Sequence, residues 1–177
     1  MNKYSFWILP PKVASEKIQK AINLFSETYS APRFFPHIST TFSIKGNIED
    51  IEKKVNALNF KPIKINLAKL STGELRWKQV FVRVENSPEL KNIQNTLKTT
   101  FKESIVKEQK EPFDPHISLI YANNEPGEQF LENKKQEILK KAKTFEFEKK
   151  MLIDSIFLID ITSKAPEEWK IIKEIKF

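Results

Sequence analysis

The only two histidines of the chain occur in the same local setting. His37 lies in "FFPHIST" and His116 in "FDPHISL", so each imidazole follows a proline and precedes Ile-Ser. In an extended strand, residues i and i+2 share a face. We therefore expect His37 and Ser39 to point to one side of their strand, and His116 and Ser118 to do the same, with the intervening isoleucines buried on the other side.

Two imidazoles and two hydroxyls that meet in one cleft are suited to phosphoester chemistry without a metal. Imidazole has an ordinary pKa of about 6.5, so one ring can be neutral while the other carries a proton. The neutral ring removes a proton from the attacking oxygen, and the protonated ring donates one to the leaving oxygen. The hydroxyls donate to the phosphoryl oxygens, where negative charge accumulates. As a hypothesis, we assign His116 as the base and His37 as the acid.

A purely structural role or a metal site fits the two histidines less well than acid–base catalysis does. A single histidine in a strand is usually structural, but a duplicated string that contains every histidine of the chain is harder to explain in this way. Metal binding would need more ligands, because the chain has no cysteine and no His-x-His or His-Glu-x-x-His spacing. Carboxylates could complete a metal site, but nothing in the sequence marks which. We predict neither a metal nor a cofactor.

The composition narrows the function classes. The length of 177 residues fits one domain, or two small lobes that share a core. With 40% hydrophobic and 30% charged residues, the chain can bury a substantial core. A content of three glycines disfavours a glycine-rich phosphate loop, and the lack of cysteine excludes disulfides, thiolate metal sites and cysteine nucleophiles. A cysteine-free chain suits a reducing compartment, and we expect a cytoplasmic location.

The net charge of +7 favours an anionic partner such as a nucleotide or RNA. The alternative is that many lysines simply solvate helix faces. The first apolar run ends at Pro10 and Pro11 and is too short for a signal peptide. No apolar stretch is long enough to span a membrane. We therefore expect no membrane association, and a monomer that binds a small cyclic nucleotide, with RNA as a further candidate partner.

Each histidine motif is predicted to begin a strand that a helix follows. "YSFWIL" indicates a first strand with Phe6 and Trp7 in the core, and apolar spacing predicts a helix from Ser15 to Tyr29. "QVFVRVE" indicates another strand, and Ser87 caps the helix after it. "FEFEKK" and "LIDSIFLIDIT" are predicted as later strands. The duplication predicts a single α+β domain over 1–177, with two lobes related by an approximate twofold axis and a cleft between them.

At these residues the chain resembles the 2H phosphoesterase superfamily, which is named for two His-any-Ser/Thr motifs. "YSFWILPP", "SAPRFFPHIST", "WKQVFVRVE" and "FDPHISLIY" are similar to blocks of the cyclic phosphodiesterase family of plants and yeast. The resemblance implies a bilobal fold with antiparallel sheets lining a cleft and helices outside. It also implies metal-free hydrolysis of ADP-ribose 1″,2″-cyclic phosphate or nucleoside 2′,3′-cyclic phosphates. His37 and His116 would be the acid–base pair, and Ser39 and Ser118 the phosphate ligands.

Two aromatic residues are further candidates for substrate binding. Tyr121 lies five residues after His116, where the plant-type enzymes carry an active-site tyrosine. In an ideal strand this odd spacing puts Tyr121 on the opposite face, unless a bulge or the end of the strand returns it; otherwise it is a core or interface tyrosine. Trp77 precedes the "QVFVRV" strand and could stack on a base, a contact of about 1–3 kcal/mol, or pack as an ordinary strand-edge tryptophan.

Three functions remain open on the sequence. The first is a small-molecule cyclic phosphodiesterase. The second is the same chemistry on RNA 2′,3′-cyclic ends or on a cyclic oligonucleotide signal. The third is a noncatalytic nucleotide- or RNA-binding module, which would not need all four motif residues. The lysines are spread among the helices rather than gathered beside the motifs, which favours a compact mononucleotide pocket.

Overall fold

The computed structural model describes residues 2–40, 43–106, 112–122 and 132–177. Within these ranges the chain forms two antiparallel sheets and four α-helices. The strands are β1 Lys3–Ile8, β2 Ile38–Ser39, β3 Ile44–Lys45, β4 Ile63–Thr72, β5 Val80–Val84, β6 His116–Ile120, β7 Lys150–Ile153, β8 Ser155–Asp160 and β9 Lys170–Lys176. The helices are α1 Lys12–Thr28, α2 Ile48–Asn56, α3 Pro88–Thr100 and α4 Glu132–Ala142.

The two sheets have matching strand orders. The first runs β2-β1-β8-β9, with β3 also paired to β1, and the second runs β6-β5-β4-β7. Each histidine motif therefore lies on an edge strand, and its strand partner is β1 in the first sheet and β5 in the second. The β1-α1-β2 segment of one lobe corresponds to the β5-α3-β6 segment of the other. This arrangement confirms the predicted α+β fold with two related lobes.

The helices begin at recognisable signals. Helix α1 starts at Lys12, earlier than the predicted Ser15, because its first turn closes directly on Pro11, whose carbonyl accepts from the Ser15 amide at 2.8 Å. Helix α3 starts at Pro88, as predicted, and the Ser87 hydroxyl accepts from the Leu90 amide at 3.2 Å. Such N-caps contribute about 1 kcal/mol. None of the helices in the described ranges combines the length and the apolar character that crossing a bilayer requires.

The "FEFEKK" segment does not form the predicted strand. Only its last residue, Lys150, belongs to β7. The two phenylalanines of the segment pack instead, with Phe145 at 6.0 Å from the ring of Phe25 in α1 and Phe147 stacked on Phe145. Alternating apolar residues can therefore bury one face against a helix without pairing to another strand.

Strand β1 separates the core from the space between the lobes. Tyr4, Phe6 and Ile8 point into the core, and the Phe6 ring lies 5.0 Å from that of Phe101. Because side chains alternate along a strand, the residues between them, which are Lys3, Ser5 and Trp7, share the opposite face. All three line a cavity on that face.

Candidate active site

A cavity of about 580 Å³ is lined by residues from both sheets. This volume is in the range of about 300–1,000 Å³ that small-molecule sites occupy. The first sheet contributes Ser39 from β2, His37 directly before that strand, and the outward face of β1. The second contributes the β4–β5 loop and Tyr121, which directly follows β6. The cavity therefore lies where the two lobes meet at their motif strands.

Both imidazoles are oriented by the same hydrogen bond. His37 Nδ1 lies 2.7 Å from the Phe35 carbonyl oxygen, and His116 Nδ1 lies 2.8 Å from the Asp114 carbonyl oxygen. A carbonyl can only accept, so Nδ1 donates in each case and carries the hydrogen. The lone pair of each neutral ring is therefore on Nε2. The repeated Phe-any-Pro-His string thus produces a repeated ring orientation.

His37 is buried in an aromatic setting. Its ring stacks on Trp7 with centroids 3.5 Å apart and an interplanar angle of 5°. Burial lowers the pKa of His37 from 6.5 to about 3, because the charged ring would lose hydration. The Phe35 carbonyl opposes this shift, and the charge of His116 adds to it. The two imidazoles are thus close enough to influence each other, and His37 is neutral in the free protein near pH 7.

His116 is half-buried, and its ring meets Phe81 edge-on with centroids 5.2 Å apart. Burial lowers its pKa from 6.5 to about 4. The carbonyl and carboxylate of Asp114 raise the pKa, whereas the positive charges of Lys78 and Arg83 lower it. Phe81 pairs with Ser118 as Trp7 pairs with Ser39, so each motif strand has an aromatic residue opposite its serine.

Asp114 is held by two cations beside His116. Its carboxylate accepts from Lys78 Nζ and, at 3.1 Å, from Arg83 Nη1. Partial burial raises the pKa of Asp114, but the hydrogen bond and charge of Lys78 and the charge of Arg83 outweigh it, so the pKa is below its usual value. The carboxylate therefore stays ionised and fixes the segment whose carbonyl orients His116.

The structure places Tyr121 in the cavity because β6 contains a β-bulge. Ser118 and Ile120 pair with adjacent residues of β5, so they face opposite sides although they are two positions apart. Tyr121 therefore returns to the side of His116 and Ser118. Its hydroxyl lies 3.3 Å from His37 Nε2 and is oriented to donate to it. Burial raises the pKa of Tyr121, so the hydroxyl keeps its proton.

The two motif serines have different surroundings. Ser39 is exposed and lines the cavity. Ser118 is buried, and its hydroxyl donates to the Trp77 carbonyl at 2.6 Å. Ser118 thus ties the β4–β5 loop to the second motif strand, and its hydroxyl would have to exchange this bond before it could donate to a phosphate.

All three tryptophans line the cavity. Trp77 is 38% exposed and stands 6.0 Å from Trp169, which in turn meets Trp7 edge-on at 5.3 Å. Trp7 is buried as predicted, but it faces the cavity rather than the core. Sequence reasoning also missed Trp169, which follows an irregular segment and whose indole N–H donates to the Ser163 carbonyl at 3.0 Å. Lys3, Ser5 and Trp7 alternate with the core residues of β1, and this alternation could have identified Trp7 as a residue of the cavity face.

Arg76 is a further cavity residue that sequence reasoning missed. Its guanidinium carbon lies 4.0 Å from the centroid of the Trp77 ring, a cation–π contact. Arg76 is adjacent to Trp77 in the β4–β5 loop, and no motif marks it. Within the described ranges, no group of three or more His, Asp or Glu is arranged to hold a metal ion.

Solved structures share the fold at low sequence identity. Apo E. coli LigT has a TM-score of 0.65 at 16% identity, with 99% of this chain and 96% of that chain covered. E. coli LigT complexed with 3′-AMP has a TM-score of 0.67 at 15% identity, with 99% and 98% covered. TT0787 of Thermus thermophilus has a TM-score of 0.65 at 13% identity, with 99% and 97% covered.

A comparison with curated protein sequences gives no match. The sequence matches the family described as cyclic phosphodiesterase-like protein over residues 1–177, which is the whole sequence. The fold likeness to LigT agrees with this assignment and with the resemblance to the 2H phosphoesterases. The chain therefore belongs to the cyclic phosphodiesterase-like protein family.

Proposed function

We propose that the chain is a metal-independent cyclic phosphodiesterase that hydrolyses a nucleotide cyclic phosphate to a phosphomonoester. The observation that carries the proposal is the duplicated imidazole geometry. His37 and His116 each have Nδ1 bonded to a carbonyl two residues earlier, at the starts of corresponding edge strands. His37 lines the cavity, and His116 is close enough for its charge to lower the pKa of His37. The family assignment supports the reaction class. LigT has been solved in complex with 3′-AMP, ATP and NADP+, so this fold accommodates nucleotides in that protein.

The reaction uses one neutral and one protonated imidazole. His116 Nε2 removes a proton from water as the water oxygen attacks phosphorus. The bond from phosphorus to the leaving sugar oxygen breaks, and His37 Nε2–H donates its proton to that oxygen. The products are a phosphomonoester and a free hydroxyl. Proton exchange with solvent then restores both rings.

Three hydroxyls support the phosphoryl oxygens. Ser39 is exposed in the cavity and can donate directly. Tyr121, whose hydroxyl bonds His37 Nε2 in the free chain, turns to donate to the phosphate once that nitrogen carries a proton. Ser118 acts after its hydroxyl leaves the Trp77 carbonyl. Donors to the developing charge stabilise the transition state more than the ground state.

Trp77 and Trp169 provide the base-binding surface. Trp77 is 38% exposed and both rings line the cavity, so a nucleobase can cover one of them. Stacking on an aromatic ring contributes about 1–3 kcal/mol and accepts any base. The chain is therefore expected to tolerate different bases in its substrate.

The low histidine pKa values fit this chemistry when substrate is bound. In the free protein, burial is the main reason that both rings are neutral near pH 7, and the charge of His116 lowers the pKa of His37 further. A phosphate anion between them stabilises an imidazolium and raises the pKa of the acid. Substrate binding thus supplies part of the electrostatic stabilisation that the protonated form of His37 lacks in the empty cavity.

An end-point assay in EDTA tests the proposal. The substrates are 2′,3′-cyclic AMP, ADP-ribose 1″,2″-cyclic phosphate and an oligonucleotide with a 2′,3′-cyclic end, incubated with the native chain, His37→Ala and His116→Ala. We expect turnover of at least one small cyclic phosphate, reduced at least about 1,000-fold in both variants. Turnover of the oligonucleotide alone would support the RNA-end alternative. Binding without turnover of any substrate would support a noncatalytic module.

Which histidine is the base is tested by the structure of a product complex. We expect the sugar oxygen that left phosphorus to lie beside His37 and a phosphate oxygen derived from water to lie beside His116. The reverse placement would exchange the two roles without changing the reaction class.

A further inference from the structure

A side-chain carboxamide holds the backbone just before each histidine. Gln19 Nε2, from the middle of α1, donates to the Phe34 carbonyl at 2.9 Å. Asn86 Nδ2, from the segment between β5 and α3, donates to the Phe113 carbonyl, also at 2.9 Å. Phe34 and Phe113 each lie three residues before the histidine of their motif. The two lobes therefore place the same kind of donor on the same carbonyl of the repeated string.

This carbonyl belongs to the peptide next to the one that orients the imidazole. The carbonyl two residues before each histidine accepts from Nδ1. Pro36 and Pro115 lie between that carbonyl and the histidine, and a proline has no amide hydrogen with which to anchor the backbone. A peptide group is planar, so a hydrogen bond at Phe34 or Phe113 fixes a whole plane and restricts the next one. The carboxamide therefore acts on the ring through one peptide unit.

In the first motif, side chains contact three consecutive residues ahead of the orienting carbonyl. The Ser26 hydroxyl donates to the Pro32 carbonyl at 3.0 Å, and the Glu167 carboxylate accepts from the Arg33 amide at 2.9 Å. The Gln19 contact is the nearest of the three to the histidine. Helix α1 buries one face in the core, so this donor stands on a fixed backbone.

In the second motif, the donor comes from a segment that is fixed on both sides. The Glu85 amide donates to the Asn66 carbonyl at 2.9 Å, and the Ser87 hydroxyl caps α3. Asn86 lies between them and is exposed, whereas Gln19 is half-buried. Water competes for an exposed donor, so the hydrogen bond of Asn86 should contribute less than that of Gln19.

We infer that Gln19 and Asn86 are positioning residues for His37 and His116, because each holds the backbone that keeps the hydrogen on Nδ1 and leaves Nε2 for the reaction. The inference deepens the proposed function and rests on it only for the reaction that the rings perform. Neither carboxamide is among the described residues that line the cavity. Without the carboxamide the peptide plane can turn, the bond from Nδ1 weakens, and the ring can place its hydrogen on Nε2. A neutral ring with that tautomer cannot accept a proton at Nε2.

NMR of the ring nitrogens tests the inference without any need for turnover. The ¹⁵N signals show which nitrogen carries the hydrogen, and at pH 7 both rings are neutral. We expect Gln19→Met to raise the Nε2–H fraction of His37 alone. Asn86→Leu should raise that of His116 alone, and by less. Gln136→Met, which removes an exposed carboxamide of α4, is the matched control and should change neither ring.

Steady-state kinetics provides a second readout. We expect Gln19→Met to lower kcat about tenfold and Asn86→Leu to lower it less, because a small misplacement of a reacting group slows the chemical step. KM should change less than kcat in both variants, since neither side chain lines the cavity. If Gln19→Met is unfolded at the assay temperature, Gln19→Glu, which keeps the shape and replaces the donor with an acceptor, provides the same comparison.

The outcomes separate the inference from the proposed function. Selective tautomer changes in a protein that hydrolyses none of the tested substrates would keep the positioning roles and reject the phosphodiesterase. Hydrolysis by the native chain, with ring signals that neither substitution changes, would overturn the positioning roles and keep the phosphodiesterase. Equal changes at both rings in each variant, or a fall in kcat without a tautomer change, would also overturn them.

Discussion

The Tyr121 hydroxyl lies 3.3 Å from His37 Nε2, which joins the second lobe to the histidine of the first. Tyr121 also stacks on Phe34 with centroids 3.8 Å apart, so its ring has little freedom. In the proposed reaction, the hydroxyl that donates to the neutral imidazole donates to a phosphoryl oxygen when the imidazole is protonated. The contact therefore links the protonation state of one histidine to a group from the opposite sheet.

Tyr121→Phe is expected to lower kcat by about tenfold, the loss of one hydrogen bond of about 1.4 kcal/mol in the transition state. KM should change little, because the ring still stacks on Phe34. Steady-state kinetics with a small cyclic phosphate measures both constants. The control is Tyr4→Phe, which removes the hydroxyl of a buried tyrosine on the core face of β1. Equal kinetics for the two variants would contradict the role of Tyr121.

The pH dependence of kcat/KM follows from the low histidine pKa values. The proposed reaction needs a protonated His37 beside a neutral His116, and with pKa values of about 3 and about 4 both rings are mostly neutral above pH 4. Above that pH the protonated fraction falls about tenfold per unit. We expect log(kcat/KM) to decline with a slope near −1 between about pH 5 and 8. A plateau up to about pH 6.5, the ordinary value for imidazole, would show that burial does not lower the histidine pKa values.

Lys78 and Asp114 are expected to shift the pKa of His116 in opposite directions. The positive charge of Lys78 lowers this pKa and the carboxylate of Asp114 raises it. Lys78→Met should therefore raise the pKa of His116, and Asp114→Asn should lower it further. Titration of the imidazole C–H signals by NMR measures both, since the chain has only two histidines. Shifts of the same sign in the two variants would refute this account, and the His37 signal is the internal control.

Acid stability is expected to depend on His37. Its pKa is about 3 in the folded chain and near 6.5 when unfolded. Between these values the unfolded chain binds a proton that the folded chain does not, so the free energy of unfolding falls as the pH is lowered. Urea unfolding at pH 7 and pH 4.5 should show a smaller decrease for His37→Asn than for the native chain. The carboxylates contribute equally to the pH dependence of both chains. Equal decreases in the free energy of unfolding would therefore contradict the prediction.

Gly73 controls the loop that carries Arg76 and Trp77. Its amide donates to the Gln79 carbonyl at 3.0 Å, and a Cβ at this position would lie 2.6 Å from the Lys78 carbonyl oxygen. Gly73→Ala must therefore displace the loop backbone. We expect at least about a tenfold rise in KM with a smaller effect on kcat, because both histidines lie outside the loop. Gly46→Ala, where the nearest atom is a side-chain carbon at 3.5 Å, is the matched control. Equal KM values would contradict the prediction.

Local sequence patterns predicted the parts of the fold that depend on local physics. The strand alternation placed the motif serines on the faces of their histidines, and Ser87 capped α3 where its hydroxyl could accept the Leu90 amide. The duplicated string predicted two related lobes because it repeats both the buried isoleucine and the imidazole. These features depend on residues that are close together along the chain, so they can be predicted from the sequence alone.

Some features depend instead on contacts between distant segments. The bulge in β6 depends on pairing with β5, and "FEFEKK" packs against α1 rather than joining a sheet. Arg76 and Trp169 reach the cavity from irregular segments with no periodicity to mark them. Their positions depend on long-range packing, so composition and spacing could not identify them.

The bulge also divides the second motif strand into two frames. Up to Ser118, even-numbered residues point to the side of the cavity and odd-numbered residues point to the core. After Leu119 this assignment is reversed. If Leu119 instead entered a regular ladder, the residue after Ile120 would turn away from His37. The position of the tyrosine is therefore set by the pairing of two strands and not by its distance from the motif along the chain. A relative without the bulge would need its tyrosine one residue closer to His-Ile-Ser to keep this hydroxyl beside the first histidine.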